Sequence, residues 1–191
     1  MVEISEIVTS LSADDDTAYQ ASEVLAVQGS AALPVIQALL THDQADVRWW
    51  AVHTCVIIQD GADITPFLVQ GLQDPDAAVR QCAALGLQQR PDDRAVPALV
   101  AALSDDDSLV VRLAANALAA TGPAAVPELI KLVEDSPSKI RLEATRALAL
   151  SGDTRSIPAL FNALDSDSTL MNYWANEGLD RLGVGMTFFK P

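Results

Sequence analysis

Five prolines recur along this chain at nearly constant spacing. Pro34, Pro66, Pro97, Pro127 and Pro158 stand 32, 31, 30 and 31 residues apart. Two residues after each comes an aliphatic: Ile36, Leu68, Leu99, Leu129, Leu160. Six residues after each comes another: Leu40, Leu72, Leu103, Val133, Leu164. A second series, Arg48, Arg80, Arg112 and Arg141, is spaced 32, 32 and 29. Each Arg follows Val47, Val79, Val111 or Ile140, and three residues on stands Ala51, Ala83, Ala115 or Ala144. Two independent ladders that stay in step define a stacked repeat, in which each unit buries its open face against the next.

Residues 95–122, AVPALVAALSDDDSLVVRLAANALAATG, show the unit. A short helix is opened by Pro97, where the missing N–H costs nothing. A turn at Ser104–Asp107 follows, then a longer helix through Arg112 that stops at Gly122. Asp and Ser in the turn are good N-caps, and negative charge is favourable at a helix N-terminus. The repeated Arg is expected to pair with turn acids or with carbonyls of a neighbouring repeat. The expected fold is all-α: an α/α superhelix of about six helix pairs in one domain, 1–191. The repeats fall at about 3–31, 32–63, 64–94, 95–124, 125–155 and 156–185. The end repeats are atypical, with Tyr19 and Asn172 at the Arg place. The C-terminal tail, 186–191, with Phe188 and Phe189, is expected to fold back over the last pair.

Half the residues are apolar but only 5% are aromatic, so Ala and Leu carry the core. Twelve basic residues against 26 acidic give a net charge of −14. Such a surface repels polyphosphate, which excludes non-specific nucleic-acid binding, and attracts basic partners. Cys55 and Cys82 lack ligand spacing and read as buried core thiols. The N-terminus has no basic region and no apolar run reaches ~18 residues, so neither a signal peptide nor a membrane span is expected. These features point to a cytoplasmic protein, a monomer or weak homo-oligomer, that does not bind membranes.

No GxSxG, P-loop, GxGxxG or HExxH motif occurs, and His42 and His53 have no nucleophile beside them. The Asp14–Asp16 and Asp105–Asp107 runs lack EF-hand spacing and read as capped turns rather than calcium sites. No cofactor or metal is expected, and catalysis has few available groups.

The stretches PALVAALSDDDSLVVRLAANALAATG and PELIKLVEDSPSKIRLEATRALALSG resemble the short HEAT-like repeats of the phycobilin lyases. The resemblance covers nearly the whole chain and is specific for fold. It admits bilin-attachment subunits, phycobilisome-degradation factors, iron hydroxylases, DNA glycosylases and plain scaffolds. The hydroxylases use His-Glu pairs, whereas His42 and His53 are followed by Asp43 and Thr54. The glycosylases are basic clamps, which a −14 chain is not.

Two readings remain. The first is a non-catalytic scaffold or adaptor that binds a protein, basic segments included, on the concave face of the stack. The second is a phycobilin lyase-like subunit or other tetrapyrrole-handling factor. Counted from the Arg ladder, the positions one and five residues on face away from the core. The first row reads Gln20, Trp49, Gln81, Leu113, Leu142, Tyr173; the second reads Val24, His53, Leu85, Ala117, Arg146, Glu177. Trp49, His53, Gln81, Leu113, Leu142, Arg146 and Tyr173 are the candidate binding residues. Trp49 and Tyr173 either line a groove or fold over adjacent helices and seal the array. Trp50 and Trp174 are expected to pack between repeats.

Overall fold

A computed structural model describes residues 4–184 of the chain. All regular structure among them is helical, and the helices alternate short and long. The first compact unit extends to Arg90 and the second begins at Pro91. The first contains α1 (Ile4–Leu11), α2 (Asp15–Ala26), α3 (Leu33–Leu39), α4 (Ala45–Ile57), α5 (Thr65–Gly71) and α6 (Ala77–Gln89). The second contains α7 (Val96–Ala102), α8 (Ser108–Thr121), α9 (Val126–Asp135), α10 (Ser138–Ser151), α11 (Ile157–Ala163) and α12 (Thr169–Arg181). The expected tail segment with Phe188 and Phe189 lies outside the described residues. Among those described, no single helix is long and apolar enough to cross a membrane.

The prolines do what their spacing predicts. Each sits in the first turn of α3, α5, α7, α9 or α11. The aliphatic two residues on is fully buried in all five copies, from Ile36 to Leu160. Each long helix then packs on its own short helix and on the next long helix of its unit: α2 on α4 and α4 on α6, then α8 on α10 and α10 on α12. Full burial of such a side chain contributes roughly 1.5–3 kcal/mol, and stacking is what supplies the burial.

Local chemistry sets the helix ends. Asp76 accepts from the N–H groups of Ala78 and Val79, and Asp107 from those of Leu109 and Val110. Gly152 closes α10 in the left-handed conformation (φ 66°), which an L side chain adopts at a cost. Short 3-10 turns, absent from the sequence expectation, lead into several short helices. Two of them, Asp93–Ala95 and Thr154–Ser156, are capped by Asp92 and Asp153. The Arg155 guanidinium and backbone N–H hold the Asp153 carboxyl down at about 2.

Arg48 ties two successive turns together. Its Nε and Nη2 donate to Asp74 Oδ2 and Oδ1 at 2.7 and 2.8 Å. Its Nη1 donates to the carbonyls of His42 and Asp43 at 2.9 and 3.0 Å. Arg80 makes the same pair of carbonyl contacts one repeat on, its Nη1 donating to Asp74 and Pro75.

Cys55 and Cys82 are both buried, and burial pushes both thiols up to about 12. Thiolate is the reactive form, so alkylation at pH 8 is expected to be slow in the native protein and fast in denaturant. Mass spectrometry after timed iodoacetamide treatment reads this. Native labelling at the rate of a free thiol would contradict the burial.

Candidate functional site

The outward faces are found by counting from the helix caps. The N-caps of the long helices are Asp14, Gln44 and Asp76 in the first unit and Asp107, Pro137 and Ser168 in the second. The fifth residue after each is Tyr19, Trp49, Gln81, Arg112, Leu142 and Tyr173. The ninth is Glu23, His53, Leu85, Asn116, Arg146 and Glu177. Positions four apart share a helix face.

In two repeats this register differs by one residue from the Arg ladder. Arg48, Arg80 and Arg141 stand four residues after their caps, but Arg112 stands five after Asp107. Arg112 therefore occupies the exposed row, and Leu113, half-buried, falls beside it. Ala117, placed in the outward row by sequence, is fully buried, and Asn116 takes its place. In the first repeat Tyr19, 46% exposed, takes the place assigned to Gln20, and Ala18 beneath it is buried.

The first unit gathers four rings. Trp49 stacks on His53, one helical turn on, with centroids 5.3 Å apart and planes at 10°. Trp50 meets both edge-on, at 4.8 Å from Trp49 and 5.3 Å from His53. Tyr19 comes in from α2, 6.0 Å from His53 and 6.4 Å from Trp50. The Trp50 contacts are those of a residue packing between repeats. Trp49 and His53 remain half-buried.

The electrostatics of this cluster are one-sided. The Glu23 carboxylate, one helical turn on from Tyr19, raises the phenol pKa. Burial lowers the His53 pKa, and the nearby Glu23 charge pulls it part of the way back. His53 Nδ1 is buried without a hydrogen-bond partner among the described residues. Arg48 is turned to Asp74, with its side chain only 10% exposed. The outcome is aromatic surface beside a carboxylate, with the nearest cation on this helix already paired. Such surface suits a guanidinium or ammonium group, which the ring faces and the carboxylate both attract.

In the second unit Arg146 is held on three sides. It donates to Asn116 Oδ1 at 2.8 Å and to Glu143 Oε2 at 3.3 Å, and lies 5.3 Å from the Trp174 ring centre. Tyr173 is 55% exposed and meets Trp174 edge-on at 5.1 Å. Leu142 is drawn inward against Ala163, Met171 and Ala175. Gln81, in the first unit, is half-buried. Of the seven candidates from sequence, then, the structure joins Trp49 directly to His53. Sequence reasoning missed Tyr19 and Glu23, because it read Tyr19 as a substitute for the ladder Arg. The cap at Asp14 was the available signal.

Among the described residues no three His, Cys, Asp or Glu side chains converge in a way that could hold a metal ion.

The profile of the HEAT-repeat family matches residues 65–138 and 112–180. No curated protein matches the chain. Among solved structures, an archaeal HEAT-like repeats protein from Thermococcus onnurineus NA1 is similar, with a TM-score of 0.67 at 15% identity, over 97% of this chain and 82% of the other. The complex of CpcE and CpcF of phycocyanin lyase from Nostoc sp. PCC7120 gives 0.55 at 22% identity, over 96% and 78%. A designed armadillo repeat protein in complex with the peptide (KR)4 gives 0.53 at 20%, over 95% and 100%. At these identities the likeness is one of fold.

Proposed function

The chain belongs to the HEAT-repeat family, and from that premise we propose that it is a non-catalytic protein-binding scaffold for a basic segment of a partner. The observation that carries the proposal is the Tyr19–Trp49–His53 cluster with Glu23 beside it. A Lys or Arg side chain of the partner lies against the rings, and its charge is met by Glu23. The net charge of −14 steers a basic segment to the surface and makes its capture salt-dependent. The designed armadillo neighbour holds an alternating Lys-Arg peptide, and the same class of peptide suits this chain by charge. The bilin-handling alternative rests on repeat resemblance alone.

Trp49→Ala tests the proposal. Loss of an interface Trp costs about 2 kcal/mol or more of binding, roughly 30-fold in Kd. Titration of a (KR)4-type peptide into wild type and variant reads it. Because Trp49 is half-buried on His53, the fold itself is expected to lose about 1 kcal/mol. Equal affinity in the two proteins would sink the proposal. A folding loss of several kcal/mol would make Trp49 a seal of the array. A new or intensified absorbance band on mixing with free bilin would favour the tetrapyrrole alternative.

A further inference from the structure

The Arg48 fork has an unfinished counterpart in the second unit. Asp74, which closes the fork on Arg48, stands two residues before the N-cap Asp76 and also accepts the Asp76 N–H at 2.9 Å. In the second unit Arg141 stands four residues after its cap, as Arg48 does. The residue two before the next cap, Ser168, is Ser166. Its Oγ keeps one of the two roles, accepting the Ser168 N–H at 3.2 Å. It has no charge and no second oxygen with which to close a guanidinium fork.

Arg141 Nε is accordingly buried with no hydrogen-bond partner among the described residues. Its Nη2 reaches only the weak acceptor Met171 Sδ, at 3.8 Å. A buried donor left unpaired is destabilising, and an acceptor that reaches it with good geometry relieves that cost. Arg141 and Ser166 line a cleft of about 710 Å³, together with Ser138, Lys139 and Ser168. The Lys139 ammonium has only a long contact, 3.4 Å, to the Asp105 carbonyl.

We propose that this cleft binds one oxyanion, a carboxylate or a phosphate monoester, in the place that the Asp74 side chain fills in the first unit. The Arg141 guanidinium takes it as a fork, Lys139 supplies a second positive charge, and the Ser138 and Ser168 hydroxyls donate at its edge. Asp165 and Asp167 also line the cleft. The first unit shows that flanking acids do not prevent such a pair: Arg48 holds Asp74 while Asp43 and Asp76 act on its charge. They do repel polyanions, so the site selects a single group that the fork can grip on two oxygens.

The Nε–Hε resonance of Arg141 in the full chain, followed by NMR at constant ionic strength, reads the site. Sodium acetate and inorganic phosphate are the probes. At least one is expected to shift it saturably, with a Kd on the order of 1–10 mM for a single charge-assisted fork. Acetate alone would name a partner carboxylate as the ligand, and phosphate alone a phosphate monoester. Ser166→Asp supplies the missing carboxylate from within the chain. It is expected to move the resonance without added anion, to abolish the titration and to raise the melting temperature. An Arg141 resonance unmoved by both anions, or a Ser166→Asp protein that still titrates as wild type does, would overturn the proposal.

Discussion

Asp74→Ala is expected to destabilise the first unit by about 3 kcal/mol. Breaking one side of a buried pair typically costs 3–5 kcal/mol, because the remaining charge stays buried and unmatched. The lower end applies here, since 10% of the Arg48 side chain still touches solvent. Arg48 would keep its two carbonyl acceptors at His42 and Asp43, but Nε and Nη2 would be orphaned. The Asp76 N–H would lose its acceptor as well. Urea denaturation gives the measurement. Replacing both partners by apolar residues, Arg48→Met with Asp74→Leu, is expected to recover most of the loss, since nothing charged is then left behind. A single-variant loss under about 1 kcal/mol would place the fork among ordinary surface ion pairs.

Gly178→Val is the second large effect, at about 3 kcal/mol, the upper part of the usual cost of overpacking. A Cβ at Gly178 would lie 2.8 Å from Ala149 Cα and 2.8 Å from Leu160 Cδ1. The leucine tip can rotate, but the Ala149 backbone belongs to α10 and cannot yield without moving that helix. Gly178→Ala already carries that Cβ, so it is expected to lose stability too, offset in part by a helix-propensity gain of up to about 1 kcal/mol. The two further methyls of valine add to the loss, so denaturation curves should rank wild type above Ala and Ala above Val. Wild-type stability in the Val variant would mean that α10 and α12 are less closely packed than described.

The fold was legible because its signals are local. A proline in a first turn, an aliphatic two residues on and an Asp cap are each decided within one helical turn. Arg48 and Asp74, 26 residues apart, were legible only as a class of interaction, and the identity of the partner acid came from packing. The candidate site was read less well. The Arg ladder could be followed through Val110–Val111 and Ala114–Ala115 in either register, because both members of each pair are buried. The doublets hid the slip that moved Leu113 and Ala117 out of the row. Tyr19 and Glu23 were missed for the same reason, because the ladder was followed instead of the caps. Nor does any local pattern mark the division at Pro91, which depends on how helices cluster in space.

That slip bears on how such a chain can change. One extra residue between a cap and its arginine turns the side chain by about 100°, from a place between turns to an open face. The doublets of small apolar residues absorb the rotation, so the interior is indifferent to it. Residue identity and residue address are thereby uncoupled. A single codon gained or lost just after a cap can redraw what one repeat displays while its neighbours stay as they were. Insertions of this kind offer a way to diversify a recognition surface on a constant frame, repeat by repeat.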